Sequence, residues 1–210
     1  MFVTFEGIDG SGKSTCINKI KEYINNKYDA NNFVFTREPG GFDLKECEQI
    51  RNILLDKNNI IDSMTEMLLY LASRKMHVER LIKPALENKK IVFCDRFYDS
   101  SIAYQGNGRS LGMQKVENMN LEALNNFKPD FTFYFKINLE TSINRMKSNN
   151  RNFDRLENED KIFFQKVIEG YDYLSKKEKR FIVIDANQSI DQVFDDVINE
   201  LEKNVFSMLK

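Results

Sequence analysis

The 210-residue chain has no surplus of either charge: 31 Lys and Arg stand against 32 Asp and Glu, a formal net charge of −1. A nucleic-acid binder gains affinity by releasing counterions with clustered Lys and Arg, so this balance argues against such a partner. Small anions remain possible, because their sites depend on local groups. Cysteine is scarce too. Cys16, Cys47 and Cys94 are odd in number and form no C-x-x-C pair, which argues against a disulfide framework or a zinc site and fits a reducing compartment. No run approaches the roughly 18 apolar residues of a membrane span, and the start, MFVTFEG, has no basic n-region or cleavage site. A cytoplasmic protein with no membrane partner is expected. Only three prolines and nine glycines are present, and no linker or repeat interrupts the chain. One domain spanning 1–210 is expected.

Against these absences stands an ordinary globular composition, 41% apolar and 30% charged. Five short apolar runs rich in β-formers read as strands: Phe2 to Glu6, Phe33 to Thr36, Ile91 to Asp95, Phe131 to Ile137 and Phe181 to Asp185. Most are nearly continuous in apolar character, as expected of parallel strands covered on both faces. Helical periodicity fills the gaps. Cys16, Ile17, Ile20, Tyr23 and Ile24 share one face, as do Leu44, Cys47, Ile50, Ile53 and Leu54. A long pattern runs from about Thr65 to Glu87, and a last one carries Ile190, Val193, Phe194, Val197 and Leu201. Alternation of this kind gives an α/β fold with a parallel sheet, whose ligands collect at the carboxyl ends of the strands.

The first strand is followed by Gly7-Ile8-Asp9-Gly10-Ser11-Gly12-Lys13-Ser14-Thr15, which fits G-x-x-x-x-G-K-[ST]. Glycines let the backbone turn its N–H groups around phosphate oxygens, and the helix behind adds the positive end of its dipole. Lys13 is expected to reach the β- and γ-phosphates, and the Ser14 hydroxyl to sit on Mg²⁺. Asp95, ending the third strand, is the natural metal partner, and Arg96 can neutralise a phosphoryl group.

Further segments point to a second, anionic substrate. Thr36-Arg37-Glu38-Pro39-Gly40-Gly41 is a stiff turn holding an arginine and a carboxylate. Tyr70 and Arg74 are four apart, so both occupy one helix face, where a ring beside a guanidinium can stack a planar base and bond its edge. The same pair could simply be a partly buried helix face. The stretch from Asp95 to Arg109, DRFYDSSIAYQGNGR, is dense in hydrogen-bonding groups for a plain connection.

With TREPGG, ASR, DRFYDSSIAYQG and DRLE in this order, essentially the whole chain resembles the thymidylate kinases, most closely their bacterial branch. The resemblance implies a P-loop NTPase three-layer fold, a five-stranded parallel sheet flanked by helices, with a short mobile lid at about 145–158. It implies transfer of the ATP γ-phosphoryl to dTMP with Mg²⁺, giving dTDP and ADP, in a cytoplasmic homodimer. Helix faces around Leu44 to Leu54 and Met64 to Leu81 are candidates for the dimer contact.

Roles follow by position. Asp9 resembles the loop carboxylate near the dTMP 3′-hydroxyl and the metal. Arg37 and Arg96 resemble the arginines on the dTMP phosphate. Tyr70 stands where the family usually has Phe stacked on thymine, and Arg74 where an arginine contacts the base edge. Ser101, Tyr104 and Gln105 match positions around the base and sugar, with Tyr104 crowding a 2′-hydroxyl, and Glu38 of the TREPGG turn is expected among the substrate-binding residues. In RMKSNNRNFDRLE the lid is expected to supply a cation to the transferring phosphoryl. Arg151 is the first candidate and Arg155 the second; Arg145 could equally be a surface charge. The adenine site is expected near the lid's start and the Asp185-Ala186-Asn187 turn.

Phosphoryl transfer asks mainly for positioning and charge stabilisation, and a phosphate acceptor is already a nucleophile at neutral pH. The sole histidine, His77, is therefore read as a surface or core residue. Two alternatives stay open on the residues alone: a kinase for a nucleoside or another monophosphate, and a nucleotide-binding switch without an acceptor.

Overall fold

A computed structural model describes residues 1–148 and 154–209. In chain order the elements are β1 (Phe2–Glu6), α1 (Lys13–Lys27), β2 (Phe33–Arg37), α2 (Lys45–Leu55), α3 (Ser63–His77), α4 (Lys83–Glu87), β3 (Ile91–Asp95), α5 (Tyr98–Ser101), α6 (Met113–Ala123), β4 (Phe131–Lys136), α7 (Leu139–Ser148), α8 (Lys161–Lys177), β5 (Phe181–Asp185) and α9 (Ile190–Asn204). The five strands pair in parallel in the order β2-β3-β1-β4-β5. All five lie where the apolar runs put them, within one residue at the ends.

Alternation along the central strands splits the core into two layers. Val3 and Phe5 of β1, with Ile91 and Phe93 of β3, pack on Cys16, Ile20 and Ile24 of α1 and Val193, Val197 and Leu201 of α9. Phe2, Val92 and Cys94 face the other way, onto Met67 of α3 and Val116 of α6. Each fully buried side chain of this kind contributes about 1.5–3 kcal/mol. All of β1 is buried, whereas the edge strand β5 is half-covered, with Val183 exposed.

The long pattern from Thr65 to Glu87 is not one uniform helix. Asp62 caps α3 by accepting from the N–H groups of Met64 and Thr65, and a π-helical turn over Val78–Ile82 separates it from α4. Pro84 lies just beyond: it has no N–H, and its ring crowds the carbonyl four residues back. A second π-helical stretch, Ile102–Gly108, follows α5, closing with Arg109 N–H donating to Tyr104 O at 2.8 Å. Such widened turns are frequent at functional sites. The segment that sequence could read only as dense in polar groups is thus helical.

With β1 central, the loops after β1 and β3 are neighbours: Phe5 pairs with Asp95, and Arg96 N–H donates to Phe5 O at 2.9 Å. The glycine loop and the Asp95-Arg96 turn therefore share one end of the sheet.

Candidate active site

The glycine loop is fixed by what it cannot accommodate. Gly7 has φ +141, and a Cβ there would stand 2.7 Å from Phe135 O; at Gly10, φ +74, it would stand 2.6 Å from Ser142 O. Both positions need the conformational freedom of glycine and its lack of a side chain. Ser142 of α7 braces the loop by donating to Asp9 O at 2.6 Å. Gly12 caps α1 without a side-chain bond, so the first-turn amides of the helix have no side-chain cap, the arrangement that suits an anion.

Lys13 lies within the loop, donating to Gly7 O at 2.8 Å and Ile8 O at 3.1 Å. Burial and the neighbouring Arg96 lower its ammonium to about 8, against the opposing pull of Asp95, Asp9 and Glu6. Gly10, Ser11, Gly12, Lys13, Ser14 and Thr15 line one cleft, closed opposite by Arg145, Gln188 and Ile190. Arg145 is no stray surface charge. It donates to Ala186 O at 2.8 Å and Gln188 O at 2.9 Å, joining α7 to the turn after β5.

Ser14 Oγ donates to Asp95 Oδ2 at 3.2 Å, while Asp95 Oδ1 is buried with no hydrogen-bond partner among the described residues. Beside them Arg96 has φ +70, a left-handed conformation that a non-glycine residue adopts at a cost of order 1–3 kcal/mol. The turn is held by its guanidinium: Nη1 donates to Gly7 O at 2.7 Å and Nη2 to Asp9 Oδ1 at 3.0 Å. Tyr104 lies beneath, its ring 5.2 Å from the guanidinium carbon and its hydroxyl 3.4 Å from Asp9 Oδ2.

A second pocket is lined by Asp9, Glu38, Tyr70, Arg74, Arg96, Ser101, Tyr104 and Gln105. These are eight residues that sequence reading assigned to one site, drawn from four segments. Arg37 opens instead onto the adjoining cleft with Ser14, Asp95 and Arg96, its Nη2 3.1 Å from Glu48 Oε2. Glu38 is buried and accepts from Arg74 Nε at 2.6 Å and from His77 Nδ1 at 2.9 Å, with His77 Nε2 2.7 Å from Thr36 Oγ1. His77 is thus a core residue holding the Thr36–Gly41 turn. Arg74 itself, 1% exposed, donates through Nη1 to Ser101 and Asn120 and through Nη2 to Phe97 O.

Arg155, the second lid candidate, is not brought to the loop. Its Nε donates to Leu54 O at 2.8 Å and its Nη2 lies 2.6 Å from Glu66 Oε2, because Glu66 is fully buried and draws cations to itself. Arg151 lies outside the described residues.

Several site residues escaped the sequence reading. Arg51 of α2 lines the same pocket, bonded to Pro39 O at 2.8 Å; it falls on the Leu44–Cys47 face, where a charge among apolar residues was the available signal. Glu66 shares the Tyr70–Arg74 stripe. Glu6, the one acid of β1, accepts from Phe97 N–H at 2.7 Å, Ser100 Oγ at 2.6 Å and Tyr171 OH at 2.9 Å, supporting the Arg96 turn from below. Burial, then Asp99, push its carboxyl up to about 7 against the Ser100 hydrogen bond. Tyr171, on α8, carries no local signal.

Residues 5–197 match the family model described as thymidylate kinase. A thymidylate kinase of Mycoplasma mobile is 47% identical over 206 residues, covering 97% of this chain and 98% of the relative; that of Finegoldia magna is 48% identical over 205 residues, covering 97% and 98%. The crystal structure of thymidylate kinase from Ehrlichia chaffeensis superimposes with a TM-score of 0.76 at 38% identity, covering 96% of this chain and 98% of that one. A nucleotide loop joined to an aromatic and arginine-lined pocket, with matches over nearly the full length, places this chain in the thymidylate kinase family, nucleoside monophosphate kinases that phosphorylate dTMP with ATP.

Proposed function

We propose that this chain transfers the γ-phosphoryl of ATP to the phosphate of dTMP, giving dTDP and ADP for dTTP synthesis. The observation that carries the reading is the meeting of donor and acceptor clefts at Asp9, which lines the loop cleft, the Asp95–Arg96 cleft and the Tyr70–Arg74 pocket. A phosphoryl group passing between two bound nucleotides needs such a junction.

In this reading the loop amides and Lys13 hold the donor phosphates, with Gly7 O and the Gly10–Gly12 turn shaping the cradle. Arg37 and Arg96 restrain the acceptor phosphate, Tyr70 stacks on the base, and Arg74, Ser101 and Gln105 bond its edge. Tyr104 occupies the space a 2′-hydroxyl would need, and Asp9 meets the sugar. The residues present suit Mg²⁺: a buried, unpartnered Asp95 oxygen stands beside the Ser14 hydroxyl, two hard oxygen donors next to the loop. Ser14, Asp95 and Asp9 would hold the ion, which supplies charge neutralisation of the phosphate oxygens. From the lid, Arg151 is the remaining cation for the transferring group, since Arg155 is committed to Glu66.

Pairing into a homodimer through α2 and α3 is supported by Ile53 and Leu68, exposed large apolar residues on these two helices. A cytoplasmic site of action is supported by three buried free thiols. Among the described residues no helix is long and apolar enough to cross a membrane.

The test is ADP production from ATP and Mg²⁺ with dTMP, dUMP, thymidine, AMP, CMP or no acceptor. Strong stimulation by dTMP, weaker by dUMP and none by the others is expected, because dUMP lacks one methyl worth about 1–3 kcal/mol in an apolar pocket. Stimulation by another acceptor alone contradicts the base pocket, and ATP binding without stimulation by any acceptor favours a switch.

A further inference from the structure

Glu66 is fully buried on the same stripe of α3 as Tyr70 and Arg74, yet it does not line the acceptor pocket. Its carboxylate is surrounded by donors. Gln105 Nε2 donates to Oε1 at 2.8 Å, Arg109 donates to Oε1 and Oε2 at 3.3 and 3.2 Å, and Arg155 Nη2 lies 2.6 Å from Oε2. An ion-paired carboxylate can only accept hydrogen bonds. Gln105, itself 2% exposed, must therefore turn its NH₂ group toward Glu66; the flipped amide would set its oxygen against a carboxylate oxygen in a buried site. That leaves Oε1, an acceptor, for the pocket that Gln105 lines.

Arg74 has the complementary remainder. Four of its five N–H donors go to Glu38, Ser101, Asn120 and Phe97 O, leaving one on Nη2 without a partner among the described residues. Between them Arg74 and Gln105, which both line the pocket, thus offer one donor and one acceptor. Thymine and uracil carry a carbonyl beside an N–H, which matches; cytosine carries an amino group beside a bare nitrogen, which opposes both.

We propose that Glu66 is a positioning residue that locks the Gln105 amide with its oxygen toward the pocket, and so makes the site reject cytosine nucleotides. The inference rests on reading this pocket as the base site of the acceptor. Since dUMP and dCMP differ only along this edge, their kcat/KM ratio reads the amide orientation and leaves the methyl out.

In Glu66→Gln the neighbour gains a donor, both orientations of Gln105 become possible, and the dUMP-to-dCMP ratio is expected to narrow at least tenfold. Glu66→Asp keeps an acceptor-only group and should hold the ratio within threefold of wild type, whatever it costs in overall rate. Should Glu66→Gln fail to fold for its excess charge, Glu66→Gln with Arg155→Gln restores the charge balance and carries the same expectation. An unchanged ratio in a folded Gln variant overturns the proposal, as does equal narrowing in Glu66→Asp, which would indicate general loosening. Wild-type protein that turns over neither dTMP nor dUMP overturns the pocket reading and this inference with it. Normal wild-type turnover with an unmoved ratio overturns this inference alone.

Discussion

Replacing Arg74 by Met would separate what this arginine does for the fold from what it offers a substrate. The guanidinium and the Glu38 carboxylate are 1% and 2% exposed and 2.6 Å apart. Removing one partner of a buried pair leaves the other charged and desolvated, which costs about 3–5 kcal/mol. In a chain of this size each kcal/mol shifts Tm by roughly 2–4 °C, so Arg74→Met should melt about 6–20 °C lower. Urea unfolding followed by circular dichroism measures the free-energy loss directly. Adding Glu38→Gln removes the stranded charge while keeping an acceptor for His77, so the double variant should regain about 1–3 kcal/mol over Arg74→Met. A single variant that loses under about 1 kcal/mol, or a double variant whose loss equals the sum of the two singles, would refute the reasoning.

Other outcomes follow from the same geometry. Lys13→Met should leave Tm nearly unchanged yet reduce kcat by about 10²-fold or more, the scale for losing one group that stabilises developing charge; steady-state kinetics with ATP and dTMP check it. Asp95→Asn should raise the Mg²⁺ concentration for half-maximal rate, and chelation of the metal should abolish turnover in wild type. Glu6 gives a stability effect with a definite sign. Its carboxyl titrates near 7 when folded against 4.5 when unfolded, so between these values the folded state binds more protons. Its contribution is complete below about pH 4.5 and is lost as the pH rises through 7, at most about 3 kcal/mol. Glu6→Gln should flatten that part of the stability profile in urea titrations across this range, and an unchanged slope would remove Glu6 as its source.

How far the sequence reached depends on whether a feature is local. Strands buried on both faces leave continuous apolar runs, and the glycine loop is one contiguous stretch, so both were legible. The interruption after His77 was less so, because only Pro84 hints at it. Glu38, Tyr70, Arg74, Ser101 and Gln105 were found as motif positions, but not the bonding that consumes most of their donors and acceptors. That bonding joins α3 to segments 27 to 46 residues away in sequence. Arg155 shows the limit most clearly. Its place beside Glu66 follows from an acid buried 89 residues earlier, which no spacing rule exposes. Glu6 and Tyr171 escaped for the same reason, being neighbours only across β1 and α8.

The central claim is that the chain moves a phosphoryl group from ATP to a thymine nucleotide. It is tested most directly by incubating the purified protein with Mg²⁺, dTMP and ATP labelled at the γ-phosphate, then resolving the products. The account predicts label in dTDP, in amounts equal to the ADP formed, and transfer about 10²-fold slower or more with Lys13→Met. Label appearing as inorganic phosphate, at the same rate with and without dTMP, would contradict it.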